Sequence, residues 1–451
     1  MSSLIVGMTT QTRAAVEKAP PPEQPQPPRT SFVRRGRGVV RALGLGLITG
    51  AADDDPSAIG TYASAGASIG PAFLWTAPVT FPMMVAVVYL SSKLGLVSGQ
   101  GLFAVIRTHY SRWFLYAVLA AVLVGNTIEA GADIGGMGAA LNLLIPIPIA
   151  VIVPITGLAI LVAQIWGSYE IIRNIFRFLA LALLAYVGSA ILAHPEAGAV
   201  ITGTLIPSIR FNKDFLAMLV AVIGTTLSAY LYTWQSNEEV EEKIAAGRRR
   251  LTERRGASRK ELKQSMWDII VGMFFSNAVM YFIILSTAAT LFKAGKTNIN
   301  TAADAARALQ PLAGSGAGIL FALGVIGVGF LAVPVMTTGA AYDLCQSFGW
   351  KNGLYRKPSE ARKFYVAIAA FTLIAIGLNY FGINPMKALV LAGIVQGFST
   401  PALMLLIMRM TNNPAIMGNN RVNGRAINIL GWLTTVATFA ATIGLVISWI
   451  V

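Results

Sequence analysis

The sequence predicts an all-α integral membrane protein of about eleven membrane-crossing helices, the first and sixth of them discontinuous. Three observations carry this. Of 451 residues, 55% are hydrophobic and only 12% charged, a balance that soluble domains rarely reach. Apolar runs of about 20 residues, long enough to cross the hydrocarbon as helices, recur along almost the whole chain. Two of those runs are interrupted in the middle by residues that an intact membrane helix does not carry.

Taken in order, residues 1–37 read as a disordered tail, with prolines from Pro20 to Pro28 followed by Arg34, Arg35 and Arg37. A single transmembrane domain over 38–451 follows. Its spans fall at 38–70, 72–92, 113–142, 147–166, 172–193, 216–236, 267–292, 316–342, 363–381, 386–408 and 427–450. These runs are too long for strands and lack period-two alternation. The first forty residues contain no apolar segment of the kind a cleavable signal needs. The lone Cys345 excludes a disulfide framework and a thiolate-rich metal site, and His109 and His194 both fall in polar connections.

The net charge of +15 is a matter of topology. With the N-terminus assigned to the cytoplasm, 29 Lys and Arg residues lie on the cytoplasmic side and 6 on the other, as the positive-inside rule requires for an odd number of spans. The richest cluster, Arg248–Lys263, suits anionic lipid head groups at the cytoplasmic face and needs no nucleic acid to explain it. A bacterial inner membrane is the expected location.

Span 1 carries Asp53-Asp54-Asp55-Pro56-Ser57 amid some thirty uncharged residues. A single carboxylate at the centre of a membrane helix costs ~3 kcal/mol on insertion scales, so three of them call for a helix that stops and restarts. Asp55-Pro56 is a restart signal, with Asp as cap and Pro at the first helical position. Asp55 is therefore either a cap or a cation ligand, and Asp53 and Asp54 either line a vestibule or stay protonated. Span 6 has the matching interruption in Gly224-Thr225-Thr226-Leu227-Ser228-Ala229-Tyr230, a poor helix interior. The two breaks predict a secondary transporter built of inverted repeats over 38–193 and 216–408, with an extra helix at 427–450 and the substrate held between the breaks.

These residues resemble the NRAMP family of divalent-metal transporters, whose fold is a LeuT-like five-plus-five inverted repeat. Asp55-Pro56-Ser57-Ala58 matches the family's Asp-Pro-Gly-Asn. Leu227-Ser228-Ala229-Tyr230-Leu231-Tyr232 is similar to its Met-Pro-His followed by Asn-Leu-Tyr. Asp268 and Asn277 in helix 7, Gln396 and Pro401 in helix 10, and Met417-Gly418 with Asn420 extend the likeness. Anchoring on Leu141-Asn142-Leu143-Leu144 places Asp133 where the family has a glutamate on its proton route. The resemblance implies a metal site at Asp55, Asp54, Ala58, Thr226, Leu227 and Gln396, with Glu129 and Asp133 as a possible proton route.

The departures from the pattern are chemical. Ala58 stands for the family's asparagine, Leu227 for its methionine, and Ala229 and Trp234 for its helix 6 histidines. A thioether favours soft transition metals, so its loss, with that of an amide, leaves a site better suited to Mg²⁺, which keeps several of its waters. In this respect the chain resembles the NRAMP-related magnesium transporters. Glu129 and Asp133, at i and i+4, share a helix face and serve equally well as proton relay or as packing groups. A divalent ion needs no proton to be driven inward: at ~2.3 kcal/mol per charge per 100 mV, two charges give about a thousandfold accumulation.

The expected substrate is thus a divalent cation, Mg²⁺ or Mn²⁺-like, with no cofactor beyond it and no obligatory protein partner. A permease for a small organic solute on the same fold is the alternative, and a non-transporting sensor a third possibility. The acidic break discriminates, because it attracts cations and repels a substrate carboxylate. An enzyme is disfavoured by the want of any Ser/His, Cys/His or paired-carboxylate arrangement with a plausible base. The charge asymmetry yields a direct test: a cysteine placed at Arg250 should react with impermeant reagents only from the cytoplasmic side. Labelling from outside would invert the topology.

Overall fold

A computed structural model describes residues 45–166 and 181–450. The expected disordered tail and the first part of the expected fifth span lie outside the described residues. Within them the chain is helical, with no strand. Span 1 forms α1 (Leu45–Asp53) and α2 (Pro56–Ile69), followed by α3 (Thr76–Ser98), α4 (Arg112–Asn142) and α5 (Ile149–Trp166). After α6 (Ala185–Leu192), span 6 forms α7 (Lys213–Thr226) and α8 (Ala229–Ala245). Then come α9 (Arg259–Thr287), α10 (Ala317–Phe348), α11 (Arg362–Leu378), α12 (Pro385–Thr411) and α13 (Arg425–Ile450). Eight helical stretches among the described residues are long and apolar enough to cross a membrane.

Both interruptions fall where the sequence places them. In span 1 the helix stops after Asp53 and restarts at Pro56; in span 6 it stops after Thr226 and restarts at Ala229. The connection after span 6 is shorter than hydropathy suggests. α8 runs to Ala245, past the end of its apolar run, and α9 begins at Arg259 on a capping box. There Ser258 Oγ accepts from the Glu261 amide and Glu261 Oε2 from the Ser258 amide, satisfying two donors that the helix start leaves free. The Lys243 ammonium then donates to the carbonyls of Leu96, Arg254 and Gly256, tying this connection to the end of α3.

The middle of the bundle is organised around α4, which packs against α10, α12, α11, α5, α2 and α8. Its second half, from Gly125 to Ala140, is buried almost throughout. Elsewhere small residues let backbones meet. A Cβ built on Gly224 would lie 2.0 Å from the Gly393 carbonyl oxygen and 2.4 Å from the Gly397 nitrogen, so α7 and α12 touch backbone to backbone just before the second break. A Gly224→Val protein should lose about 1–3 kcal/mol or more to overpacking. Its melting temperature in detergent should fall clearly below that of a Gly444→Val control, whose Cβ would meet nothing within 4 Å.

Candidate functional site

Asp55 caps α2: its backbone is extended, and Oδ1 accepts from the Ala58 amide at 2.6 Å. Its other oxygen faces α8. The Tyr230 hydroxyl lies 3.0 Å from Asp55 Oδ2 and 2.8 Å from the Ala52 carbonyl, so one proton serves two acceptors across the breaks. Asp53 and Asp54 point toward α9, where the Ser276 hydroxyl lies 2.5 Å from Asp53 Oδ2 and 3.3 Å from Asp54 Oδ1. Asp53 Oδ1 is buried without a hydrogen-bond partner.

The break in span 6 is closed in the same manner. The Leu227 carbonyl accepts from the hydroxyls of Tyr232 and Thr400, the latter at 2.8 Å. Thr226 Oγ1 shares a hydrogen bond with the Tyr62 hydroxyl at 2.9 Å, which joins α7 to α2. The Leu227 side chain is apolar and buried, and so is Ala58.

α4 supplies one carboxylate to each restart. Asp133 Oδ1 accepts from the Ser57 amide at 2.8 Å and the Ser57 hydroxyl at 2.6 Å, a second cap for α2. Glu129, one turn earlier, accepts from the Ser228 hydroxyl at 3.0 Å and from Gln396 Nε2 at 2.7 Å. Gln396 also reaches the Asn126 side chain at 3.1 Å and, through its own oxygen, the Ala229 amide at 3.4 Å. It is therefore a strut between α12, α4 and the start of α8. Asp133 Oδ2 has no hydrogen-bond partner.

Asp54, Asp55, Ala58, Thr226, Leu227 and Gln396 thus gather around the two breaks, as do Glu129 and Asp133. Sequence reasoning passed over Tyr62, Ser276 and Thr400, and gave Ser57 no role beyond its place in the motif. Ser276 carried a signal, standing next to Asn277, a residue already singled out. Asn277 itself donates to Thr80 Oγ1 at 3.2 Å. All five carboxylates are buried, and none forms an ion pair among the described residues. Nor do three His, Cys, Asp or Glu side chains among those residues converge into a ready-made metal-holding group. What the arrangement offers is a buried cluster of carboxylate, backbone carbonyl and hydroxyl oxygens without ion-pair partners among the described residues, a donor set that suits a hard cation.

A family model described as natural resistance-associated macrophage protein-like matches residues 46–448. The chain belongs to the NRAMP family. It is an integral membrane transporter, as its motifs and helices lead one to expect. Among NRAMP relatives, it is 26% identical over 410 residues to the divalent metal cation transporter MntH of Klebsiella pneumoniae (strain 342), covering 89% of this chain and 93% of that one. It is likewise 26% identical over 422 residues to MntH of Bacillus subtilis (strain 168), covering 92% and 94%. The crystal structure of a manganese transporter of Eremococcus coleocola, in complex with an aromatic bis-isothiourea substituted compound, superposes with a TM-score of 0.69 at 19% identity, over 90% of this chain and 85% of that one. Mhp1, a nucleobase-cation-symport-1 family transporter in a closed conformation, superposes at 0.56 and 14% identity, over 90% and 92%. At such identities the superpositions speak for the fold, an all-α bundle with two broken helices.

The Tyr230 hydroxyl is the group that covers Asp55 from the far side. In a Cys345→Ser background, which removes the only native thiol, Ala58→Cys should react slowly with a small methanethiosulfonate reagent. Adding Tyr230→Phe should raise that rate about tenfold, the scale of one hydrogen bond to a charged acceptor. An unchanged rate would mean that Tyr230 does not hold the site closed.

Proposed function

We propose that this NRAMP protein carries a divalent metal cation across the membrane, Mg²⁺ in preference to Mn²⁺, by exposing the pocket between its two broken helices alternately to either side. One observation carries the reading: Asp55 sits buried where α1 and α2 part, shares no ion pair among the described residues, and faces Ala58 and Leu227. An unpaired carboxylate in this position calls for a cation. Neither neighbour offers the amide oxygen or sulfur that would favour a soft metal, so oxygen ligands and retained water are left to complete the shell. The names and family of its relatives support a divalent cation as cargo. In this reading Asp54, the Leu227 carbonyl and the Thr226 hydroxyl border the ion, and Gln396 holds the start of α8.

The same reading places the protein in a bacterial inner membrane with its N-terminus in the cytoplasm. There the Arg248–Lys263 cluster meets anionic head groups. The ion is cargo; no resident cofactor and no obligatory protein partner enters the proposal.

In proteoliposomes, Asp55→Asn should abolish Mg²⁺ and Mn²⁺ uptake while the protein stays folded, because asparagine retains a capping oxygen and loses the charge. Ala58→Asn with Leu227→Met should shift preference toward Mn²⁺. Uptake at the wild-type rate in Asp55→Asn would defeat the cation site and turn attention to an organic solute.

A further inference from the structure

Further along α8 from the proposed site, an acid-lined cavity opens between α5, α8, α10 and α11. Its volume is about 390 Å³. Apolar residues of α5 and α10 form most of its wall, and the polar groups on it are Gln164, Trp234, Glu238, Glu241, Thr338 and Tyr365. Three of these lie on one face of α8 with Tyr230, at positions 230, 234, 238 and 241. At 1.5 Å per residue Glu238 stands about 12 Å along the helix from Tyr230, the residue that covers Asp55. One helix face thus runs from the central site into this cavity.

The two carboxylates are not equivalent. Glu241 is engaged, for its Oε1 accepts from the Tyr342 hydroxyl at 2.6 Å. Glu238 is only 8% exposed, and its Oε1 is buried with no hydrogen-bond partner. The Trp234 indole N–H, one turn closer to Tyr230, is buried and unpartnered too. A buried carboxylate oxygen without a donor, set in an apolar wall, is a costly arrangement that a cation relieves. A bare ion would leave the indole N–H unanswered, whereas an ion with its waters supplies oxygen to the indole and donors to the carboxylate. A water occupies about 30 Å³ in the liquid, so the cavity has room for an ion with its inner shell of water.

Resting on the proposed cation transport, we infer that this cavity is a second binding station for a hydrated divalent cation, with Glu238 as the side chain that holds it. It receives the ion from the Asp55 site on the way to the cytoplasm. A single free carboxylate in an apolar wall binds weakly enough to release, which is what a station on a conduction path requires.

Mn²⁺ binding to the purified full-length protein, followed by the loss of the free-ion electron paramagnetic resonance signal, tests this. Wild type should bind two Mn²⁺ ions of unequal affinity, and Asp55→Asn should keep the weaker one. Adding Glu238→Gln to Asp55→Asn should weaken that remaining site about tenfold or more, the scale of one charge-assisted contact. Glu238→Asp, which restores a carboxylate, should recover binding and exclude a folding defect. If Asp55→Asn binds no Mn²⁺ while wild type does, the station does not exist and the central site stands. Residual binding in Asp55→Asn that Glu238→Gln leaves unchanged also overturns it. Failure of wild type to bind Mn²⁺ at all would overturn this inference, while Mg²⁺ transport would stand or fall on the uptake assay.

Discussion

Two helices end in the interior of this bundle, and every backbone group set free there has to find a partner away from water. A buried amide or carbonyl left unpaired costs roughly 1–3 kcal/mol, more than most single contacts contribute. The chain meets the demand with side chains, some local and some from other helices. Asp133 takes the Ser57 amide, Asp55 takes the Ala58 amide, and the hydroxyls of Tyr232 and Thr400 take the Leu227 carbonyl. Because Glu129 and Asp133 lie one turn apart on α4, a single rigid helix fixes the restarts of both α2 and α8. The separation of the two breaks is thereby a property of α4.

That solution has an electrostatic consequence. Carboxylates are good caps because helix starts carry partial positive charge, and here five of them lie in one buried region where none forms an ion pair with a lysine or arginine among the described residues. Half-helix dipoles offset part of their charge, and serine, glutamine and tyrosine donors offset more. In the proposed reading a divalent ion completes the balance, and the scaffold that satisfies the backbone is also the source of attraction for the cargo.

The first break was legible because its signal is local: three aspartates followed by proline leave a membrane helix few choices. The second, without a proline, was legible through Gly-Thr-Thr and Ser and through its distance from the first. The long-range partners were not, because the pairing of Ser57 with Asp133, or of Tyr230 with Asp55, depends on which helix faces overlap. Hydropathy also stopped too soon at the facing ends of α8 and α9. The start of α9 at Arg259 is set by the Ser258–Glu261 box, and α8 continues to Ala245 through residues with no apolar signal. Gln396, which the resemblance assigns to the metal site, here bonds between helices.

The two oxygens of Asp55 divide the labour that a single aspartate must perform here. Oδ1 is committed to the Ala58 amide and keeps α2 started whatever else happens. Oδ2 meets only a tyrosine hydroxyl, which it shares with the Ala52 carbonyl. A hydroxyl is an exchangeable partner, since an ion or one of its waters can take its place without unwinding the helix. In the proposed cation site, displacing the Tyr230 hydroxyl would release Oδ2 and the Ala52 carbonyl together, one from each side of the break, and both are oxygen ligands suited to a hard ion. Uncovering Asp55 would then assemble the proposed site in the same step, because one hydroxyl covers two of its oxygens.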